Sequence, residues 1–120
     1  MARYVDGFVI PIPKKHLEAY RRMANLGARI WREYGALEYY ECVGDDLKTK
    51  FGKGFPRRLN LKPSETVIFS WIVYKSRAHR DRVNAKVMQD PRMNDPEMQN
   101  TMPFDTKRMA YGGFEVLVSW

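Results

Sequence analysis

The sequence predicts an α+β domain made of two β-α-β units. Three observations carry this expectation. Runs of period two and runs of period 3.6 follow one another in the order strand, helix, strand, strand, helix, strand; turn residues part most of the runs; and the third strand is apolar on both faces. With 120 residues, 44% of them hydrophobic and 13% aromatic, the chain has the size and apolar content of one compact domain spanning 1–120.

Tyr4 to Ile12 reads as the first strand. Tyr4, Asp6, Phe8 and Ile10 alternate with Val5, Gly7 and Val9, and Pro11 and Pro13 stop it. Asp6 is unusual on an aromatic and aliphatic face: it either reaches the sheet edge, the preferred reading, or faces a polar cavity. From Lys14 the period becomes helical, with Leu17, Tyr20, Ala24, Ala28 and Trp31 on one stripe, widened by Met23, Leu26 and Ile30, and with arginines opposite. Gly35 supplies the left-handed residue that commonly ends a helix. Tyr20 carries a hydroxyl on the buried stripe, so it is either a core tyrosine bonded to backbone or a pocket donor. His16, in the first turn, is expected at the surface.

Leu37 to Val43 reads as the second strand, with Leu37, Tyr39, Glu41 and Val43 on one side and Glu38, Tyr40 and Cys42 on the other. A solvated edge position is expected for Glu41, with a buried base as the alternative. Gly44 to Pro63 is a composition break in which six basic residues face Asp45 and Asp46 alone. Its Phe51 and Phe55 suit base stacking beside phosphate contacts, but pinning a long loop to the core is the preferred role. Thr66 to Tyr74 carries Val67, Phe69, Trp71 and Val73 on one face and Ile68 and Ile72 on the other, so it is a central strand buried on both sides. Helices cover one side only. A second copy of the chain is the economical cover for the other, which predicts a homodimer.

Ser76 caps a helix running to about Gln89, with His79, Val83 and Val87 on one face and His79 read as a core or boundary histidine. Asp90-Pro91 ends it, and Asp95-Pro96 opens a short helix through Asn100. Met93, Met98, Met102 and Met109 follow, a stretch suited to filling irregular gaps and shaping a plastic pocket. In the closing stretch, Met102 to Val118, Gly112-Gly113 marks a bend or a close approach to another chain. Asp105, Lys107, Arg108 and Tyr111 form the densest polar cluster beside the closing strand, either as a pocket lining or as a turn with solvated charges.

Strand, helix, strand, strand, helix, strand is the ferredoxin-like βαββαβ order, one antiparallel sheet with both helices on one face. YVDGFVIPIP, GALEYYEC, VIFSWIVY, RVNAKVMQDPRM and MPFDTKRMAYGGFE resemble the YbaA-like family of uncharacterised bacterial proteins, within the dimeric α/β-barrel superfamily. The resemblance covers nearly the whole chain. It implies a ferredoxin-like subunit and a barrel-like dimer, and no established activity; the superfamily includes cofactor-independent monooxygenases, isomerases and haem-binding enzymes, an analogy of fold alone. The chain departs from its relatives in its very basic loop and at His79. Asp105, Lys107, Arg108 and Tyr111, in the matching closing motif, are the better positions for a shared site.

Two functional readings follow. The first is a protein that binds, or acts without a cofactor on, a small anionic or aromatic metabolite, with walls from Tyr20, Trp71 and methionines, Arg108, Lys107 and Tyr111 holding an anion, and Asp105 orienting Arg108 or acting as base. The alternative is nonspecific RNA binding. The net charge of +7 is concentrated in Lys14 to Tyr34, Gly44 to Pro63 and Lys75 to Arg92, each with six basic against two acidic residues. The third strand lacks the exposed-aromatic signature of an RNA-recognition motif. Neither a glycine-rich phosphate motif nor a metal-ligand spacing is present, so no metal and no cofactor are expected. The lone Cys42, the absence of a leader pattern and the lack of a ~20-residue apolar run point to a reduced, cytoplasmic setting away from membranes.

Overall fold

In the computed structural model, which describes residues 2–120, four antiparallel strands form one sheet in the order β2-β3-β1-β4. The strands are β1 (Tyr4–Pro13), β2 (Glu38–Val43), β3 (Glu65–Tyr74) and β4 (Ala110–Glu115); the helices are α1 (Leu17–Glu33), α2 (Phe55–Arg58), α3 (Arg77–Gln89) and α4 (Pro96–Asn100). The order and the antiparallel pairing are those of the ferredoxin-like α+β fold.

Register decides which residues meet the helices. Tyr4 lies opposite Tyr74, Asp6 opposite Ile72, Phe8 opposite Ser70 and Ile10 opposite Ile68. These residues share the face on which α1 and α3 pack, and two core clusters form there: Tyr4, Ile72 and Tyr74 with Ile30, Val83 and Val87, and Ile10, Ile12 and Ile68 with Tyr20 and Ala24. Phe8 packs against both. Burial of side chains such as Ile12, Ile30 and Val87 contributes about 1.5–3 kcal/mol each. Helix α1 turns its Tyr20, Ala24, Gly27 and Ile30 inward and ends at Gly35, whose φ of 104° is the left-handed cap. The inward stripe passes through Gly27 rather than Ala28, which is only half-buried.

Asp6 departs from its expected place at the edge. It is buried on a central strand, where Arg80 Nη1 at 3.0 Å and Asn84 Nδ2 at 3.1 Å donate to its two oxygens. Asn84 Oδ1 in turn accepts from the Tyr74 hydroxyl and from Trp31 Nε1. A buried carboxylate is tolerated because each of its oxygens accepts a hydrogen bond and Arg80 neutralises its charge.

The long loop also departs from expectation. It contains α2, and Phe51 is 88% exposed, so it pins nothing; Phe55 reaches Phe69 with ring centroids 6.4 Å apart, on the sheet face away from the helices. Leu47, Leu59 and Leu61 are the half-buried leucines of the loop, beside Gly44, Gly54 and Pro56. Within Met102 to Val118 the strand occupies only Ala110–Glu115, and a 3-10 turn at Thr106–Arg108 precedes it.

Neither α1 nor α3 packs on the other sheet face, and of α2 Phe55 reaches it. Val67 and Val73 are buried there, but Phe69, Tyr40 and Phe114 are 47%, 48% and 60% exposed. Gly7 lies opposite Gly112 in register, forming the floor of a groove of about 540 Å³ with Trp71, Phe69 and Phe114 along it.

A methionine-lined cavity closed around Glu41

A cavity of about 420 Å³ lies between α1, the helix-side face of the sheet and the segment that leads from α3 to β4. Helix α1 supplies Tyr20, Met23, Ala24, Gly27 and Trp31; the sheet supplies Phe8, Ile10, Ser70 and Ile72, with Tyr39 and Glu41 from β2; and the connecting segment supplies Met93, Met98, Met102, Phe104 and Met109. Every methionine among the described residues lines it. Thioether chains, flexible and polarisable, give walls that adapt to an occupant. Phe104 holds the segment against α1 by an edge-on contact with Tyr20, centroids 5.8 Å apart. His16 Nδ1, half-buried and not at the surface, donates to the Pro103 carbonyl at 2.9 Å.

One charged side chain faces this apolar space. Glu41 is half-buried, not solvated at an edge; Tyr20 donates to its Oε1 at 2.6 Å and Tyr39 to its Oε2 at 2.8 Å. Burial pushes both phenols far above their ordinary range; the Glu41 bond adds to this for Tyr20, and the Glu41 charge for Tyr39. Both therefore stay protonated and serve as fixed donors. Other inward carboxylates have arginine partners: Asp6 with Arg80, Asp90 with Arg92, Glu65 with Arg108. Glu41 has two phenols instead, and no lysine or arginine lines the cavity.

The residues singled out from sequence fall in separate places. Tyr20 is in the cavity, bonded to a side chain rather than to backbone. Trp71 is on the opposite sheet face, stacked against Tyr40 at 5.1 Å. Tyr111 stacks on Phe8 with centroids 5.8 Å apart and is 71% exposed at the edge strand. Asp105 caps the 3-10 turn by accepting from Lys107 N, and Lys107 is exposed. Arg108 does not pair with the Asp105 side chain; it binds Glu65 at 2.5 Å and the Leu59 and Asn60 carbonyls, tying the turn to the start of β3. Asp105 and Arg108 share a notch of about 160 Å³ with His16, apart from the cavity. His79 is a helix-start residue whose Nδ1 accepts from Lys75 N, its ring edge-on to Tyr74.

Sequence reasoning noted Glu41 but passed over Tyr39 and Gly27. Tyr39 and Glu41 stand two residues apart on one strand face, a signal that was available. That this face meets the Tyr20 stripe is set by packing. Among the described residues no three His, Cys, Asp or Glu side chains stand together as a metal-ligand set. Among the described residues no helix is long and apolar enough to cross a membrane.

Residues 3–106 match the model of a protein family of unknown function, DUF1428. The chain is 44% identical to the uncharacterized protein YbaA of Escherichia coli K12, over 97% of each chain, and equally to that of Shigella flexneri. By structure it is similar to a dimeric ferredoxin-like protein from an uncultured marine organism, with a TM-score of 0.68 at 10% identity over the whole of both chains. It is also similar to a putative antibiotic biosynthesis monooxygenase from Bacillus cereus, with a TM-score of 0.52 at 7% identity over 100% of this chain and 98% of that one. These structural likenesses are of fold; the family match and the close relatives establish that the chain belongs to the DUF1428 family.

Proposed function

We propose that this protein holds a small, neutral, aromatic molecule in the helix-side cavity and works as a homodimer joined through the open face of its sheet. The observation that carries the reading is the cavity: about 420 Å³, within the usual range for small-ligand sites, with apolar and sulfur-bearing walls around a single carboxylate. An anionic ligand fits it poorly. Glu41 would repel a negative charge, no cation lines the walls, and Arg108 is already committed to Glu65. A neutral aromatic ligand with a hydroxyl group can instead donate to the lone pairs that Tyr20 and Tyr39 leave on Glu41.

The homodimer rests on the exposed apolar row of Phe69, Tyr40 and Phe114 and on the glycine-floored groove, which a second sheet laid face to face would cover. The fold neighbour from the marine organism is described as dimeric. The free thiol of Cys42 fits a reducing, cytoplasmic setting.

Titration with 2-naphthol and with 2-naphthoate, read by tryptophan fluorescence and melting temperature, tests the ligand reading. Trp31 on the cavity wall is positioned to report occupancy. Saturable quenching and a raised melting temperature with the neutral naphthol alone are expected. Preference for the naphthoate, or binding of neither, overturns the reading.

A further inference from the structure

We propose that Glu41 is the base of a cofactor-independent proton-transfer site, taking a proton from the carbon beside the carbonyl of a neutral aromatic ketone, with Tyr20 and Tyr39 as hydroxyl donors to the resulting enolate. The inference rests on the cavity reading above and adds the chemistry.

The contrast among carboxylates is its starting point. Where this fold turns Asp6, Asp90 or Glu65 inward, an arginine neutralises the charge and fixes the side chain. The Arg80–Asp6 pair joins α3 to β1, and Arg92 and Arg108 each reach a further segment, so these pairs hold structure together. Glu41 alone of these faces a cavity large enough for a molecule, and it is held by neutral donors at 2.6 and 2.8 Å. Glu41 has no cationic partner among the lining residues, so its charge is left for an occupant of the cavity to meet. Two phenols orient it without neutralising it. Each oxygen accepts one phenol bond and retains a lone pair for the incoming proton.

The step balances without an added oxidant or reductant. The C–H bond beside the carbonyl breaks, its proton passes to a Glu41 oxygen, and the electron pair moves into the new C–C double bond, leaving negative charge on the carbonyl oxygen. Glu41, now neutral, releases its hold on the phenols, and a Tyr20 or Tyr39 hydroxyl donates to that oxygen. Return of the proton from Glu41 to the same carbon, or to one conjugated with it, restores a neutral ketone. The second course is an isomerisation. The apolar walls of Met98, Met102 and Phe104 favour neutral substrate over charged, and the half-buried Glu41 can trade its proton with solvent between turnovers.

Deuterium exchange into 2-indanone, followed by mass spectrometry in heavy water, tests the chemistry, with binding of 2-indanone measured in parallel by tryptophan fluorescence. The wild-type chain is expected to accelerate exchange about a hundredfold over buffer, the usual lower range for a positioned base. Glu41→Gln keeps an acceptor for the phenols, so it should bind 2-indanone within a few-fold of wild type and exchange at the buffer rate. Glu41→Asp, which draws the base back, should retain the fold and lose most of the acceleration; it decides the matter should Glu41→Gln not fold. Binding by wild type with no acceleration, or acceleration undiminished in either variant, overturns the base assignment and leaves the cavity reading standing. Failure of 2-indanone to bind where 2-naphthol does overturns the base assignment alone, and failure of both to bind overturns the cavity reading as well.

Discussion

The Tyr39 hydroxyl oxygen lies 3.0 Å from where the Cβ of any residue larger than glycine would stand at Gly27. That single absence of a side chain on α1 lets the β2 phenol reach under the helix and complete the hold on Glu41. Gly27→Ala should raise helix propensity by up to about 1 kcal/mol while forcing Tyr39 back by a few tenths of an ångström. Its melting temperature is expected to stay near that of wild type, with 2-naphthol affinity falling severalfold. Unchanged affinity in a titration would show that Tyr39 does not shape the cavity.

At the opposite edge Gly113 plays a comparable part beneath Tyr4. A Cβ there would overlap the Tyr4 ring, which the Arg80 guanidinium covers at 4.9 Å on its face. The ring cannot move without disturbing the Asp6 pair. Gly113→Ala should destabilise by about 1–3 kcal/mol, as overpacking does, seen as a lowered urea midpoint at unchanged slope.

Acid should loosen the joint between the end of α1 and the end of α3. Asp90 is held far below the usual carboxylate range, chiefly by hydrogen bonds from Arg92, whose guanidinium also lowers Glu33. Groups depressed in the folded state contribute stability that is present above their unfolded values, about 4, and lost as pH falls through the folded ones. Urea midpoints are expected to drop as pH falls below about 4, and Arg92→Met should flatten that fall by removing the donor. His79 is depressed too, by burial first and then by Lys75 and Arg82. Its share is present above about 6.5 and is lost as the ring gains a proton and stops accepting from Lys75 N.

Arg108, bonded to Glu65 and to two carbonyls, is expected to hold fold rather than ligand. Arg108→Ala strands the Glu65 carboxylate and frees two carbonyls, so melting temperature should fall by several degrees while the folded protein keeps its affinity for 2-naphthol. A loss of affinity without a loss of stability would return Arg108 to the binding site.

On the open sheet face, Phe69→Glu places a charge at the centre of the apolar row. Sedimentation equilibrium is expected to show a folded monomer in place of a dimer at micromolar concentration. A wild-type chain already monomeric under those conditions would defeat the homodimer proposal.

The periodicity of the chain alone determined that strands and helices follow in the ferredoxin-like order, because period two and period 3.6 record which side of each element meets apolar neighbours. It marked Thr66 to Tyr74 as a strand apolar on both faces, and Gly35 as a helix end, since each follows from local backbone geometry. It placed Tyr20 on a buried stripe with its hydroxyl in need of a partner. The identity of that partner was not local. Tyr20 and Glu41 are 21 residues apart, Asp6 and Arg80 are 74 apart, and Arg108 chose Glu65 over the nearer Asp105. Pairing of polar side chains is decided by strand register and by the angle at which a helix crosses the sheet, and neither leaves a repeat in the sequence. For the same reason Trp71 and Tyr20, both legible as pocket walls, came to lie on opposite faces of one sheet: alternation tells which residues share a face, and only the packed structure decides what each face meets.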